Sequence, residues 1–236
     1  MRGGNIINVT KDWNPKQARL KEIILKKDKF HEAINLTLEM HSQVHTSEMS
    51  GAAFVTYEDI LWENLDQKVF RDQIRKKGTT IAWNLWHLTR IEDLTVNLLI
   101  AEKDQVINSS SWLERMQVSV SDTGNAMNDS EISAFSSKVD MQELRKYRIE
   151  VGRKTQEIIK KLTPEVLKQK VKPEMIQRIK GEGGVTDSED SKWLLDFWGK
   201  KTVAGIILMP ITRHQIVHLN DSLMLKDKLS GTYKSK

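Results

Sequence analysis

Residues 80–102 read TIAWNLWHLTRIEDLTVNLLIAE, and their spacing decides the fold class. Ile81, Leu85, Leu88, Ile91, Leu94, Leu98 and Leu99 recur every three or four residues, the period of one face of an α-helix. Thr80, after Gly78 and Thr79, supplies the cap. Three further stretches repeat the pattern. One runs from about Pro15 to Glu48, with Asn14 as N-cap and Pro15 in the first turn. Another runs from about Met141 to Leu162 behind Asp140. The last runs from about Lys201 to Leu229 and contains Pro210, which either kinks it or starts a fresh helix. Shorter helices are expected near Glu58–Leu65, Ser130–Ser137 and Ser191–Trp198, and Gly181-Glu182-Gly183-Gly184 reads as a flexible loop. Four long amphipathic helices predict an all-α four-helix bundle, one domain over residues 1–236. The connection between the second and third is long enough to run the length of the bundle, so these two helices can be parallel.

Composition narrows the class. With 39% hydrophobic residues the chain can bury a core, which excludes a disordered protein. A mean hydropathy of −0.49 and the lack of an 18-residue apolar run argue against a membrane span. Met1-Arg2-Gly3-Gly4-Asn5 carries no apolar signal-peptide region. Cysteine is absent, which excludes disulfides, thiolate ligands and a cysteine nucleophile and fits a cytoplasmic location. Any metal site must therefore use histidine and carboxylates. The net charge is +5, but basic residues alternate with acids, as Arg145, Lys146 and Arg148 do with Glu143 and Glu150. The densest basic runs, Lys21–Lys29 and Lys168–Lys180, read as solvated helix faces, so no specific nucleic-acid recognition is expected.

Histidine carries the chemical information. His214 and His218 stand four apart on the last helix, one turn apart on one face, as a divalent ion requires. His87 shares the inward face of its helix with Trp83, Asn84, Ile91 and Leu94, and a buried ring must find a partner. Three convergent imidazoles would leave coordination positions open for water or substrate. Asp221, three residues after His218, is placed to accept that ring's second N–H, and Glu92 or Asp221 could serve as a base. His41 and His45 form a second such pair. They could be a fourth ligand, pocket groups or polar capping of the bundle end. The neighbours Ser42, Gln43, Thr46 and Ser47 favour a pocket or structural role, and His31 reads as surface. Trp83, Trp86, Trp193 and Trp198 read either as core or as an apolar mouth over the ion. There is no Gly-rich phosphate loop, no GxSxG elbow and no HExxH.

Ile81 to Asp93 and Thr212 to Asn220 together resemble the second-helix and last-helix HxxxH motifs of the DinB/YfiT-like superfamily. The resemblance implies an up-down-down-up bundle. It implies a metal triad that falls on His87, His214 and His218. It also implies kinship with transferases and isomerases that use low-molecular-weight thiols such as bacillithiol or mycothiol. On that basis the expected cofactor is a divalent ion, Zn²⁺ or Ni²⁺, with an external thiol as cosubstrate and a small molecule as substrate. A hydrolase-like relative would activate water at the same ion. The alternative is a non-catalytic metal-binding stress-response or interaction protein, and a homodimer is left open.

Overall fold

The structure is a computed structural model that describes residues 9–234. The reading of Met1 to Asn5 lies outside them. Eight α-helices reach nine residues or more: α1 Asn14–Ile23, α2 Phe30–Gln43, α3 Ile81–Asp93, α4 Asp129–Lys138, α5 Met141–Ile159, α6 Pro173–Gly181, α7 Glu189–Gly199 and α8 His214–Lys234. No β-strand occurs among the described residues, only isolated bridges at Ile74–Lys77 and Lys170–Thr202. The protein is all-α. Among the described residues no helix is long and apolar enough to cross a membrane.

Helix α3 is the centre, packed against α5 and α8. All thirteen of its residues are buried. Its apolar side chains meet Leu144, Tyr147 and Val151 of α5 and Ile216 and Leu219 of α8 in one core. Asn84 contacts His218, and His87 contacts His214, so α3 and α8 run antiparallel. Thr80 caps α3 by accepting from Trp83 N, and Asp140 caps α5 by accepting from Gln142 N and Glu143 N.

The long first helix expected from Pro15 to Glu48 is broken into α1 and α2, with a separate single turn, Ser47–Ser50, at its end. A continuous helix of that length would extend about 50 Å, far beyond its partners, and half its apolar stripe would face water. The chain instead turns at Lys26, which is extended, and α2 folds back on α1. Ion pairs Lys16–Glu39 and Arg19–Glu32 cross between them in antiparallel register. Asn14 does not cap α1; its Oδ1 accepts from Arg213.

Pro210 neither breaks the last helix nor starts it. It lies inside a π-helical turn, Ile207–Arg213, that runs directly into α8. Proline has no N–H and its ring crowds the preceding turn. The wider turn gives it room, and side chains take up carbonyls there: Gln17 Nε2 donates to Leu208 O, Gln215 Nε2 to Pro210 O and Thr212 Oγ1 to Ile207 O. The Gly181–Gly184 segment is tied down rather than free. Gly184 is buried, and its carbonyl accepts from Thr123 N.

Candidate metal centre

Four donor side chains stand at helical spacing on one side of α3: Trp83, Trp86, His87 and Arg90. Four successive carbonyls of the 121–124 loop receive them. Arg90 Nε donates to Ser121 O at 2.9 Å, Trp86 Nε1 to Asp122 O at 3.0 Å, His87 Nδ1 to Thr123 O at 2.7 Å and Trp83 Nε1 to Gly124 O at 3.1 Å. Gly124 has φ +71°, and a Cβ there would come 2.9 Å from Trp83 Nε1, so only glycine lets the loop lie this close. The indole of Trp83 stacks on His87, with ring centroids 4.6 Å apart and planes 8° from parallel.

This clamp fixes the tautomer of His87. Its Nδ1–H is spent on Thr123, so Nε2 presents a bare lone pair. His218 is set the same way, with Nδ1 donating to Asn84 Oδ1 at 3.2 Å. His214 completes a tripod. The three ring centroids are 4.6–5.0 Å apart and the planes meet at 60–69°. One ligand atom from each of the three lies within 4.8 Å of the other two. His87 Nε2 and His214 Nε2 are 3.3 Å apart, close to the edge of about 3.3 Å between two nitrogens bound tetrahedrally at 2.0–2.1 Å. Burial, then the neighbouring His218, pushes His87 down to about 3. Burial alone pushes His218 down to about 4. Burial, His87 and His218 hold His214 well below its ordinary value. Three neutral imidazoles that meet at one point, two of them with a fixed Nε2 lone pair, are the donor set a divalent cation needs, so these residues fit the ion that the resemblance implies.

Other expected members fall elsewhere. Asp221 is exposed on α8, and the partner of His218 is Asn84 in its place. Glu92, expected as a candidate base, is fully buried, and so is its neighbour Asp93. Asp93 accepts from Arg90, Tyr147 and the backbone of Val106 and Ile107. Both oxygens of Glu92 are taken, by His41 Nε2 at 2.8 Å and His45 Nε2 at 3.0 Å. Burial opposes its ionisation, but the two rings prevail and hold its carboxyl well below the usual carboxylate range. His45 is pushed down to about 3 by burial and by Arg148. His31 is exposed, as its sequence neighbours indicate.

Of Trp83, Trp86, Trp193 and Trp198, only Trp83 lies at the triad, stacked on His87 and edge-on to His218, so they do not together form a mouth. Trp86 is fully buried against Phe135 and Tyr147, Trp198 is buried, and Trp193 is half exposed beside Phe197. A cavity of about 580 Å³ is lined by Asp122, Met127, Phe135 and Lys138 among others, and none of the three imidazoles lines it.

The ring of His45 rests on α5 at Gly152. A Cβ there would come 2.8 Å from both His45 Nδ1 and Met49 Cγ. Alanine in a helix normally gains about 1 kcal/mol over glycine. Here the ring is held by Glu92 and cannot yield. Gly152→Ala should therefore lower stability by about 1–2 kcal/mol, as overpacking does, read as a lower urea midpoint. A raised midpoint would show that the ring moves freely.

No curated protein matches the chain in a sequence comparison. A family-level comparison matches residues 59–221, well over half of the chain, and that span holds His87, Glu92, His214 and His218 but neither His41 nor His45. With an all-α fold and this match, the chain belongs to the DinB superfamily.

Proposed function

We propose that the protein is a divalent-metal-dependent enzyme acting on a small molecule, with transfer of a low-molecular-weight thiol as the leading reaction. His87, His214 and His218 would hold the ion, Zn²⁺ or Ni²⁺. The observation that carries this reading is the tripod, with two of its three tautomers fixed by Thr123 O and Asn84 Oδ1. Three protein ligands leave coordination open, the pattern of a catalytic rather than a structural site. When bound, such an ion lowers the pKa of a thiol or water that joins it. His214 and His218 are partly exposed, which gives a reactant an approach to the triad. The chain has no cysteine, so the thiol comes from outside. The 121–124 loop and Trp83 hold His87 rigid, which keeps the donor set fixed while a reactant exchanges. Glu92 is engaged by two histidines, so Asp221, exposed one turn from His218, is the better candidate proton acceptor. A hydrolase-like reaction would use the same residues on water.

The test is conjugation of bacillithiol, mycothiol or glutathione to a chromogenic electrophile. The untagged protein is assayed alone, with chelator and as His214→Ala. Turnover in the first sample and background in the other two is the expected result. Equal rates in all three, or no rate with any thiol, would favour a non-catalytic metal-binding protein.

A further inference from the structure

A second cluster lies deeper in the fold. His41 lies in the last turn of α2, His45 follows it by four residues, and Glu92 is near the end of α3. All three side chains are fully buried. The two Nε2 atoms sit 2.8 and 3.0 Å from the two oxygens of Glu92, and one ligand atom from each residue lies within 4.8 Å of the others. The cluster shares no residue with the triad.

Two observations point to a cation there. The first is a pair of unpartnered nitrogens. If both Nε2–H groups donate to Glu92, both Nδ1 atoms are bare acceptors, and neither finds a hydrogen-bond partner in this buried place. The second is Glu58. Its Oε2, bonded to Arg148 Nε at 2.8 Å, stands 4.0 Å from His45 Nδ1. Beside a bare Nδ1 that carboxylate is repulsive. Beside an Nδ1–H it is an attractive charge on the outer side of the ring, at 4.0 Å still beyond hydrogen-bond distance. Moving one proton within each ring, from Nε2 to Nδ1, turns both histidines into ligands with no net proton lost, and a dication offsets the buried anion of Glu92.

We propose that His41, His45 and Glu92 form a second divalent-cation site of two imidazoles and one carboxylate, suited to Zn²⁺ or a neighbouring first-row ion. It does not depend on the triad reading.

The test counts metal in untagged protein, stripped and refolded with Zn²⁺ because the cluster is inaccessible from outside. Plasma emission measures zinc per folded chain after dialysis, with folding checked by circular dichroism. Two ions are expected in the unaltered chain, one in the His87→Ala/His214→Ala/His218→Ala variant, and one in Glu92→Gln. Nitrogen-15 spectra of the triad variant should show His41 and His45 change from the Nε2–H to the Nδ1–H tautomer when Zn²⁺ is added. A folded triad variant that binds none, with unchanged tautomers, would overturn the site and leave a proton-bonded pair. If that variant does not fold, equal zinc in the unaltered chain and Glu92→Gln would overturn it. One ion in the unaltered chain that survives loss of the triad would support this site and refute the triad instead.

Discussion

Arg148→Met should destabilise the protein by about 3–5 kcal/mol, the usual cost of removing one partner of a buried ion pair. Only about 1% of this side chain is exposed, yet it joins four elements. Its Nε donates to Glu58 Oε2 at 2.8 Å, one terminal nitrogen to Thr89 Oγ1 of α3 at 3.3 Å, and the other to Val44 O at 2.7 Å and Gln215 Oε1 of α8 at 3.1 Å. Methionine fills much of the volume but donates nothing. Glu58 would keep only the Trp62 indole, at 3.0 Å, as a buried anion. At about 2–4 °C per kcal/mol for a chain of this size, the melting temperature should fall by roughly 6–20 °C. Arg153→Ala, which removes an exposed pair with Glu150, should cost less than about 1 kcal/mol. Arg148→Met/Glu58→Gln should recover part of the loss, because the unpaired charge goes too. Urea midpoints of the four proteins check this. Equal midpoints for Arg148→Met and Arg153→Ala would show that the buried network contributes little.

Arg148 also marks where sequence reading stops. Beside Glu143, Arg145 and Glu150 it looks like one more surface charge, because nothing local separates it from them. Its partners lie 67 to 104 positions away along the chain in three cases of four. Glu92 and Asp93 are invisible for the same reason, since their burial depends on His41, His45 and Tyr147. What period and cap chemistry control was legible: α3 begins at its threonine cap, α5 at its aspartate, and the inward histidines of α3 and α8 meet. The fold-back at Lys26 has no glycine or proline to announce it; tertiary packing imposes it. The carbonyl ladder at 121–124 was half legible. Trp83, Trp86, His87 and Arg90 all need acceptors on one side of a helix. The acceptors are backbone groups, which every residue carries, so no residue type could name them in advance.

Acid should unfold the metal-free protein between about pH 6 and pH 4, because four buried imidazoles stand neutral in the fold. Burial is the first cause in each: His45 and His87 are pushed down to about 3, His218 to about 4, and His214 well below its ordinary value. In the unfolded chain each returns to about 6.5. Between these values the unfolded chain binds protons that the folded chain refuses, so stability falls as pH falls. Above about 6.5 the contribution is complete and flat. Each group adds a slope of up to about 1.4 kcal/mol per pH unit. Glu92 acts in the same sense, since its carboxyl is held well below the usual range and must be protonated against its two ring partners. Four groups together can remove a stability of about 5–15 kcal/mol within two or three pH units. Circular dichroism from pH 7 to pH 3 should show a cooperative transition in chelator, and a lower midpoint in a second sample that holds Zn²⁺ and no chelator, because bound metal competes with protons for the same nitrogens. His31→Asn, at an exposed position, should leave the profile unchanged. His45→Asn in chelator should make it shallower by about one proton if the variant folds. A stability that does not change between pH 6.5 and pH 4 would mean that the folded protein takes up protons as readily as the unfolded chain, and that burial does not hold these four imidazoles neutral in acid.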